Sequence, residues 1–476
     1  MSSEIYVGEL VDGLKWVNTV EPIRLANLRG KAVILSFWTS SSIACEQQSH
    51  ELRLIETKFH DGVAILGIHT PKHPNEVDDA YLLKISNRWQ IRYPVANDAE
   101  YTAWRQLGIE SWPSLVLLDH DSRIVGIFAG EGRRSELEAK IQEVLDKALE
   151  VDRRSHDPAP VSNRPEARAI LRFPTRIVAS ATHLYLADTG YNRIVELTFE
   201  GRINRQFGSG NPGNWDARLT EAGFRNPVGL ALMKDFLFVA DTGNHSIRRI
   251  RLNTGDVETL AGTGICERPV STDSAQPRTL SLTSPVDVAA AHDKIYIAMA
   301  GSHQIWQLDL MSGSVSLFVG NGREDVVDGT GPFSSFAQPS GLTVAAESLY
   351  VLDASTSTLR CVRLQDARVM TLIPGGLFTD GSADGNAMAA RMCHPTAVFN
   401  DSVRKVLWIA DTLNHKLRVY SIAKAELKTL NVNYRLQSPS GICVADQTVF
   451  IANTDAHEIL RLDLRSGRLA RLPITT

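Results

Sequence analysis

The sequence lacks the long apolar segments and the basic excess that mark several classes of protein. None of its apolar runs reaches the ~18 residues needed to span a bilayer, and the acidic start MSSEIYVGELVDG has no basic-then-apolar signal layout. Lysine and arginine number 50 against 54 acidic residues, which gives a formal net charge of −4. We therefore expect neither membrane attachment nor nucleic-acid binding.

Cysteine is also scarce, with only five in 476 residues. The five are scattered and contain no C-x-x-C pair; they are Cys45, Cys266, Cys361, Cys393 and Cys443. This pattern excludes a disulfide framework and a paired zinc site. We predict a protein of the reducing cytoplasm with no metal and no other cofactor.

The pattern of apolar residues changes near the end of the first third of the chain. Residues 1–150 alternate buried-strand and helix patterns, whereas residues 171–476 contain short strands. Between them, residues 151–170 are rich in Pro, Arg, Ser and Asp and have no apolar period. The sequence therefore predicts two domains joined by a linker.

The second region contains an internal repeat. Six strands of similar sequence follow one another, each preceded by a proline, and these prolines are 44 to 58 residues apart. The strands are LYLAD (184–188), LFVAD (237–241), IYIAM (295–299), LYVLD (349–353), LWIAD (407–411) and VFIAN (449–453). Each copy holds four strand candidates joined by Gly-, Asn- and Asp-containing turns. Six copies of four antiparallel strands predict a six-bladed β-propeller, and the last copy has its own fourth-strand candidate in residues 467–474.

The turns after these strands carry a recognisable motif. The Asn414-His415-Lys416-Leu417 run, after an Ala-Asp-Thr strand end, resembles the NHL repeat. Four histidines share one slot, residues 245, 303, 415 and 457. A metal ring is one interpretation, but zinc bonds of ~2 Å are far shorter than the spacing of neighbouring blades, which favours a turn-fixing residue. The recurring aspartates 188, 241, 353 and 411 either bind a cation in the channel or cap strand ends; their regular recurrence favours capping.

The first region resembles the thioredoxin fold. Lys31-AVILSFW and Val63-AILGIHT read as buried strands, and Trp112-Pro113 stands where that family has its cis-proline. Together with Gly67-IHTPKHPNE and Pro94-VANDAEYTAW, the order of the two domains resembles the NHL repeat-containing protein 2 family. The resemblance implies an α/β thioredoxin-like domain followed by an all-β six-bladed NHL β-propeller. Longer members carry a further β domain, so this chain is expected to be a short, bacterial-type member.

The redox site that the resemblance implies has lost its chemistry. The attacking cysteine of the family's Cys-x-x-Cys is Ser42 here, and only the resolving position, Cys45, remains. The buried acid that moves protons in the family is replaced by Ser36. Serine is not ionised at neutral pH and forms no disulfide, so thiol–disulfide exchange is not expected. We assign Ser36, Ser42, Cys45, Trp112 and Pro113 to a degenerate site with no catalytic residue.

Two interpretations of Cys45 remain open. It is either a buried small apolar side chain or a single thiol that forms mixed disulfides and senses oxidants. The resolving position is normally shielded, which favours the first. Ser42 as a hydrolytic nucleophile would need a nearby base, and His50 lies about two turns away along the predicted helix.

Candidate binding residues lie on three long loops of similar pattern. Residues 208–227, 320–339 and 375–395 each join a fourth strand to the next blade and combine an Asp-rich turn with a short apolar run. Such loops either bind a partner or pack on one another. With the strand-end Trp38, the candidates are Trp38, Trp215, Phe224, Asp325, Phe333, Asp380 and Asp384.

Arginines on the predicted third strands offer a competing RNA-binding interpretation. These are Arg248, Arg249, Arg251, Arg360, Arg363 and Arg418. Single-strand binding also needs exposed aromatic residues, for which Trp306 and Tyr420 are available. The negative net charge favours a solvated strand face or salt bridges between blades.

Two functional hypotheses follow. The first is a non-catalytic scaffold that binds a protein or peptide partner through a redox-inactive thioredoxin fold and a rigid propeller. The second is a single-cysteine thiol oxidoreductase or redox sensor that acts through Cys45. The sequence leaves the partner and the oligomeric state open.

Overall fold

A computed structural model describes residues 5–157, 160–268 and 275–476 of the chain. It divides into two units, residues 1–167 and 168–476. Two backbone hydrogen bonds join residues of the predicted linker to the first unit. Within that unit, the Ser155 amide donates to the Gly30 carbonyl at 3.0 Å and the Ser162 amide donates to the Asn18 carbonyl at 2.8 Å.

The first unit is a six-stranded mixed sheet flanked by helices. Its strands are β1 (Lys15–Val17), β2 (Ala32–Trp38), β3 (Val63–His69), β4 (Val95–Asn97), β5 (Ser114–Leu118) and β6 (Ile124–Ala129), and its helices are α1 (Ile43–Lys58), α2 (Asp79–Arg88), α3 (Thr102–Gln106) and α4 (Arg134–Glu150). The sheet order is β1-β4-β3-β2-β5-β6. Strands β2, β3 and β4 are parallel neighbours, so the loops after them meet at one edge of the sheet.

Two apolar clusters hold this sheet between its covering layers. All seven residues of β2 and all seven of β3 are buried, as continuous apolar strands of a parallel sheet should be. One cluster packs against α1, α2 and α4 and contains Trp38 and Cys45; the other lies on the opposite face. The thioredoxin-like expectation for this region is confirmed.

The second unit is a six-bladed β-propeller. Blades one and two are β7 (Pro174–Ala179), β8 (Leu184–Asp188), β9 (Arg193–Leu197), β10 (Ile203–Phe207), then β11 (Ala217–Arg218), β12 (Pro227–Met233), β13 (Phe236–Asp241), β14 (Ser246–Arg251), β15 (Asp256–Ala261). Blades three and four are β16 (Pro285–Ala291), β17 (Lys294–Met299), β18 (Gln304–Asp309), β19 (Ser314–Val319), then β20 (Gly329–Thr330), β21 (Pro339–Ala345), β22 (Ser348–Asp353), β23 (Thr358–Arg363), β24 (Arg368–Ile373). Blades five and six are β25 (Gly385–Asn386), β26 (Ala397–Asp401), β27 (Val406–Asp411), β28 (Lys416–Ser421), β29 (Glu426–Thr429), then β30 (Pro439–Ala445), β31 (Thr448–Asn453), β32 (Glu458–Asp463), β33 (Leu469–Arg471).

Each blade is an antiparallel sheet whose four main strands are consecutive in the chain. The first strands β7, β12, β16, β21, β26 and β30 contact one another in a closed ring and line the channel. Blade six is built from residues 439–471 alone, so no strand is exchanged at closure among the residues described. A short bridge instead joins Thr475 to Arg202 of blade one.

The repeated turn residues hold neighbouring segments together. The Asp241 carboxylate accepts the Arg225 amide at 2.8 Å, and the Asp411 carboxylate accepts the Cys393 amide at 2.8 Å. His245, His415 and their counterparts in the same slot take the left-handed conformation at the end of the turn. The His415 Nδ1 accepts the amide of Ser438 from the next blade at 2.9 Å. The structure thus shows both residue types acting as the turn and capping elements that their repetition favoured.

Candidate functional site

The loop that would carry the redox cysteines runs from the end of β2 to the start of α1. Ser42 is the N-cap of α1, and its Oγ accepts the Cys45 amide at 3.4 Å. A hydroxyl in this position satisfies one of the free amides of the first turn. Ser42 therefore performs a capping role at the position of the attacking cysteine.

Cys45 lies in the first turn of α1 and is 1 % exposed. Burial raises the pKa of its thiol to about 12, although hydrogen bonds from Ser42 and the Thr39 backbone act in the opposite direction. The nucleophilic form of cysteine is the thiolate. A thiol with this pKa is almost wholly protonated at neutral pH.

The other residues of the degenerate site lie around Cys45. Ser36 is buried in β2 between Gly67 of β3 and Leu115 of β5. The Trp112–Pro113 peptide is cis, as the resemblance implied, and precedes β5. Trp112 packs against the apolar cluster that contains Cys45, so the fold brings these predicted residues together.

Sequence reasoning missed Glu76, a fully buried carboxylate beneath this loop. It accepts hydrogen bonds from the Thr39 hydroxyl at 2.9 Å and from the Lys72 and His73 amides at 2.7 and 3.0 Å. It also accepts from the Ser40 hydroxyl, which lies 2.9 Å from the Tyr81 hydroxyl. Four donors on one carboxylate hold the loop after β2 to the loop after β3.

The electrostatics of this cluster favour an ionised Glu76. Burial by itself would raise its pKa, but the neighbouring His73 and His69 and the hydrogen bond from Ser40 bring the pKa below its usual value. His69 is also fully buried, and burial lowers its pKa to about 4. The spacing His73-x-x-Glu76, which forms a capping box, was the one local signal that could have pointed to Glu76.

Two predicted binding residues are buried and offer no surface to a partner. Trp38 is 2 % exposed and packs against His69 and Trp89, with ring centroids 4.7 and 5.0 Å away. Phe224 is fully buried, and its ring lies 5.1 Å from the Arg248 guanidinium. Both aromatic side chains are part of the interior, because the strand and loop ends that carry them turn inward.

The three long loops are fastened to their own blades by one recurring contact. An aspartate in each loop accepts a hydrogen bond from a fully buried third-strand arginine; the pairs are Asp216–Arg248, Asp328–Arg360 and Asp384–Arg418, at 2.9, 2.9 and 2.7 Å. The same aspartates accept the hydroxyls of Thr259, Thr371 and Thr429 on the fourth strands. Asp384, predicted to bind a partner, is therefore used within its own blade.

The remaining loop candidates differ in how accessible they are. Trp215 is 47 % exposed, and its indole donates to the Glu221 carbonyl at 2.6 Å. Asp380 is half-buried, and its carboxylate accepts from the Cys393 thiol at 3.4 Å. Phe333 is 80 % exposed, and Asp325 on the same loop is exposed as well. The loop 320–339 thus presents the most open of the predicted binding residues.

Three of the six arginines suggested as an RNA-binding face are internal. Arg248, Arg360 and Arg418 are fully buried, and their ion pairs lie within a blade rather than between blades. The aromatic residues proposed for base stacking, Trp306 and Tyr420, are buried too. The three buried arginines and the two aromatic residues therefore present no surface to a nucleic acid.

The fold and the site define a class: a thioredoxin-like domain joined to a six-bladed propeller. A family model described as thioredoxin-like matches residues 30–124. Over 532 residues the chain is 32 % identical to NHL repeat-containing protein 2 of Bos taurus, covering 99 % of this chain and 72 % of that protein. The chain belongs to the NHL repeat-containing protein 2 family, as the resemblance of both domains indicated.

Two further relatives match nearly the whole chain and about a quarter of it. Protein SUPPRESSOR OF QUENCHING 1, chloroplastic, of Arabidopsis thaliana is 32 % identical over 498 residues, which cover 97 % of this chain and 47 % of that protein. Thiol-disulfide oxidoreductase ResA of Bacillus anthracis is 27 % identical over 123 residues, 26 % of this chain and 68 % of that protein. Across the described residues, no helix combines the length and the apolar character needed to cross a membrane.

Proposed function

We propose that this protein is a non-catalytic scaffold that binds a protein or peptide partner and carries out no thiol–disulfide exchange. The observation that supports this proposal best is the pairing of a capping Ser42 with a buried, protonated Cys45. Exchange requires one accessible thiolate and a second cysteine. The carboxylate of Glu76 further supports it, since it ties down the loop that would have to present a thiol.

For the propeller we propose that the loop 320–339 contacts the partner. Phe333 is 80 % exposed on this loop, and exposed aromatic residues on rigid loops are frequent anchors of interfaces. We propose a cytoplasmic location, which fractionation of the source cells would test. We propose no cofactor and no metal, and we expect neither membrane nor nucleic acid as a partner.

The alternative is a single-cysteine oxidoreductase or redox sensor that acts through Cys45. The similarity of the first unit to a protein named as a thiol-disulfide oxidoreductase favours it. The two hypotheses differ in one measurable property, which is the reactivity of Cys45 in the folded protein.

Thiol labelling of the native protein decides between them. At pH 7.5 a thiol with a pKa near 12 is ionised about a thousandfold less than an ordinary cysteine, whose pKa is about 8.5. We expect native protein to show no labelling of Cys45 by iodoacetamide, and denatured protein to show full labelling, as read by peptide mass spectrometry. Rapid labelling of native Cys45 would overturn the scaffold proposal.

Partner capture gives a second test. Full-length wild type and Cys45→Ala are used as bait under non-reducing conditions, with Cys443→Ala as control because its thiol is also fully buried but lies in β30. The scaffold proposal expects the same partners with all three proteins. A partner held only by proteins that contain Cys45, and released by reductant, would support the oxidoreductase instead. Phe333→Ala should weaken capture if the loop 320–339 is the contact surface.

A further inference from the structure

The innermost strands of the propeller carry an unusual set of residues at one register position. The position lies two residues after the proline that begins each first strand, and from blade one to blade six it holds Arg176, Gly229, Asp287, Gly341, Ala397 and Gly441. One basic and one acidic side chain therefore stand among three glycines and an alanine. Because these four residues have little or no side chain, the channel at this level has room for the side chains of Arg176 and Asp287.

The Arg176 side chain, only 8 % exposed, crosses the channel from blade one to blade three. Its Nε and Nη2 donate to the two carboxylate oxygens of Asp287 at 3.0 and 2.9 Å. This is the bidentate geometry in which a planar guanidinium matches a carboxylate.

Main-chain carbonyls of the three remaining blades on that side complete the coordination. Nη2 donates to the Ser340 and Thr396 carbonyls at 2.7 and 2.6 Å, and Nη1 donates to the Ser440 carbonyl at 2.6 Å. These residues lie on or next to the first strands of blades four, five and six. The guanidinium is therefore surrounded by five oxygen atoms drawn from four blades.

The cage around the guanidinium is built from backbone that has little room to move. A Cβ added to Gly441 would lie 1.8 Å from the Thr175 carbonyl oxygen, and one added to Gly341 would lie 2.8 Å from the Thr396 carbonyl oxygen. The Asp287 carboxylate is fixed in turn by the Leu342 amide at 2.8 Å. Of the three carbonyls that accept from Arg176, that of Thr396 therefore lies close against the backbone of the neighbouring blade.

We propose that the propeller channel is a cation site shaped for a planar guanidinium ion and that Arg176 is its built-in occupant. Removal of the side chain beyond Cβ leaves the Asp287 carboxylate without its cation and takes from the three carbonyl oxygens the donors that Arg176 supplies. A free guanidinium ion supplies donors of the same geometry. In the native protein the same contact closes the channel at this level, so that no other ligand enters the site.

Chemical rescue of a truncated variant tests this proposal. We expect Arg176→Ala in the full chain to lower the melting temperature by about 5 to 10 °C, because Asp287 is left buried and unpaired. Guanidinium chloride at 10 mM, far below denaturing concentrations, should restore at least half of this loss. Sodium chloride at the same concentration should restore none, and wild type should not be stabilised by either salt.

The matched control is Arg176→Ala combined with Asp287→Asn, which retains the cavity and removes the carboxylate. We expect guanidinium to have no stabilising effect on it. An equal effect on both variants, or no effect on Arg176→Ala, would overturn the proposal. Stabilisation of Arg176→Ala by calcium but not by guanidinium would also overturn it, because the site would then select charge rather than shape.

If Arg176→Ala does not fold, Arg176→Lys takes its place. The lysine ammonium retains the charge but cannot reach both carboxylate oxygens and the three carbonyls with one planar group. We expect it to melt several degrees below wild type. A melting temperature equal to that of wild type would show that any buried cation suffices and would contradict a guanidinium-shaped site.

Discussion

At the scale of single residues, the loop between β2 and α1 of the first unit is held by hydrogen bonds to side chains. Ser42 caps α1 where a nucleophile would stand, and Cys45 is shielded behind it. Glu76 then occupies the position beneath the loop and accepts four donors. A buried carboxylate with this many donors is stable only while all of them remain in place.

Glu76→Gln should therefore destabilise the protein. The glutamine amide retains the size of the side chain but has no charge, and its NH2 group would face N–H and O–H groups that now donate to the carboxylate. We therefore expect the free energy of unfolding at pH 7 to fall by about 2 kcal/mol. Because the pKa of Glu76 is lowered in the folded protein, its contribution is present above its unfolded pKa and is lost as the pH falls through the folded value. The gap between wild type and variant should narrow below about pH 4.5.

Denaturant unfolding between pH 3 and 7 measures this gap. Glu136→Gln is the control, since Glu136 lies on the surface of α4 and pairs with the exposed Arg133; it should change stability by less than about 0.5 kcal/mol. A Glu76→Gln effect equally small, or one independent of pH, would show that the carboxylate does not hold the loop.

At the scale of elements, each long loop is bound to its blade through a buried arginine. Arg418 on β28 bonds Asp411 at the end of β27 at 2.6 Å and Asp384 in the loop at 2.7 Å. Burial raises the pKa of Asp411 to about 6, opposed by Asn414, the Cys393 amide and Arg418. The arginine thus both holds the loop and keeps a buried carboxylate charged.

Arg418→Ala should be among the most destabilising substitutions of buried residues in the propeller. It leaves Asp411 buried without its cation, and losses of about 3 to 5 kcal/mol are typical when one partner of a buried pair is removed. The control is Arg363→Ala, another third-strand arginine, because its pair with Asp366 is exposed on both sides and should contribute less than about 1 kcal/mol. Equal effects in thermal or denaturant unfolding would contradict a structural role for the buried clamp.

At the scale of the whole propeller, contacts between blades close the ring. The turn histidines take part, because the Nδ1 atoms of His245, His415 and His457 each accept an amide of the following blade, from Ser284, Ser438 and Phe173. Only a neutral imidazole can accept this hydrogen bond. Because burial lowers the pKa of His245 and of His415, their bonds couple closure of the ring to pH.

His245 gives this coupling a direction. Burial lowers the pKa of His245 to about 4 in the folded protein. As the pH falls, this histidine is therefore protonated at a higher pH in the unfolded chain than in the folded one. The contribution of neutral His245 to the free energy of unfolding is complete above about pH 6.5, which is the pKa of histidine in the unfolded chain. This contribution is lost as the pH falls toward 4. Between pH 7 and 4.5 wild type should lose about 2 kcal/mol more than His245→Asn, which tolerates the left-handed turn but does not titrate. Parallel stability curves for the two proteins would contradict this coupling.

Local periodicity accounts for most of what the sequence predicted. The change from alternating helix and strand patterns to short repeated strands located the two folds, and the strand LYLAD coincides with β8, Leu184–Asp188. The regular recurrence of aspartate and histidine indicated turn and capping roles without any structure. The absence of Cys at position 42 is the basis of the proposal that thiol–disulfide exchange does not occur, because that exchange requires a sulfur atom.

Only the tertiary structure could decide which distant residues meet. Glu76 reaches a loop that lies thirty-six or more positions earlier in the chain, and Arg176 meets Asp287 across 111 positions. The period of apolar residues in the sequence indicates which face of a helix or strand is buried. Which residues pair across the propeller ring depends on the number of blades that close the ring and on the register of their strands. For the same reason, aromatic residues that read as binding candidates, such as Phe224, are interior when a loop folds back on its blade. The sequence alone determined the two folds, the repeat and the absence of a cysteine at position 42. Closure of the ring decided which buried charged residues pair with one another in the propeller.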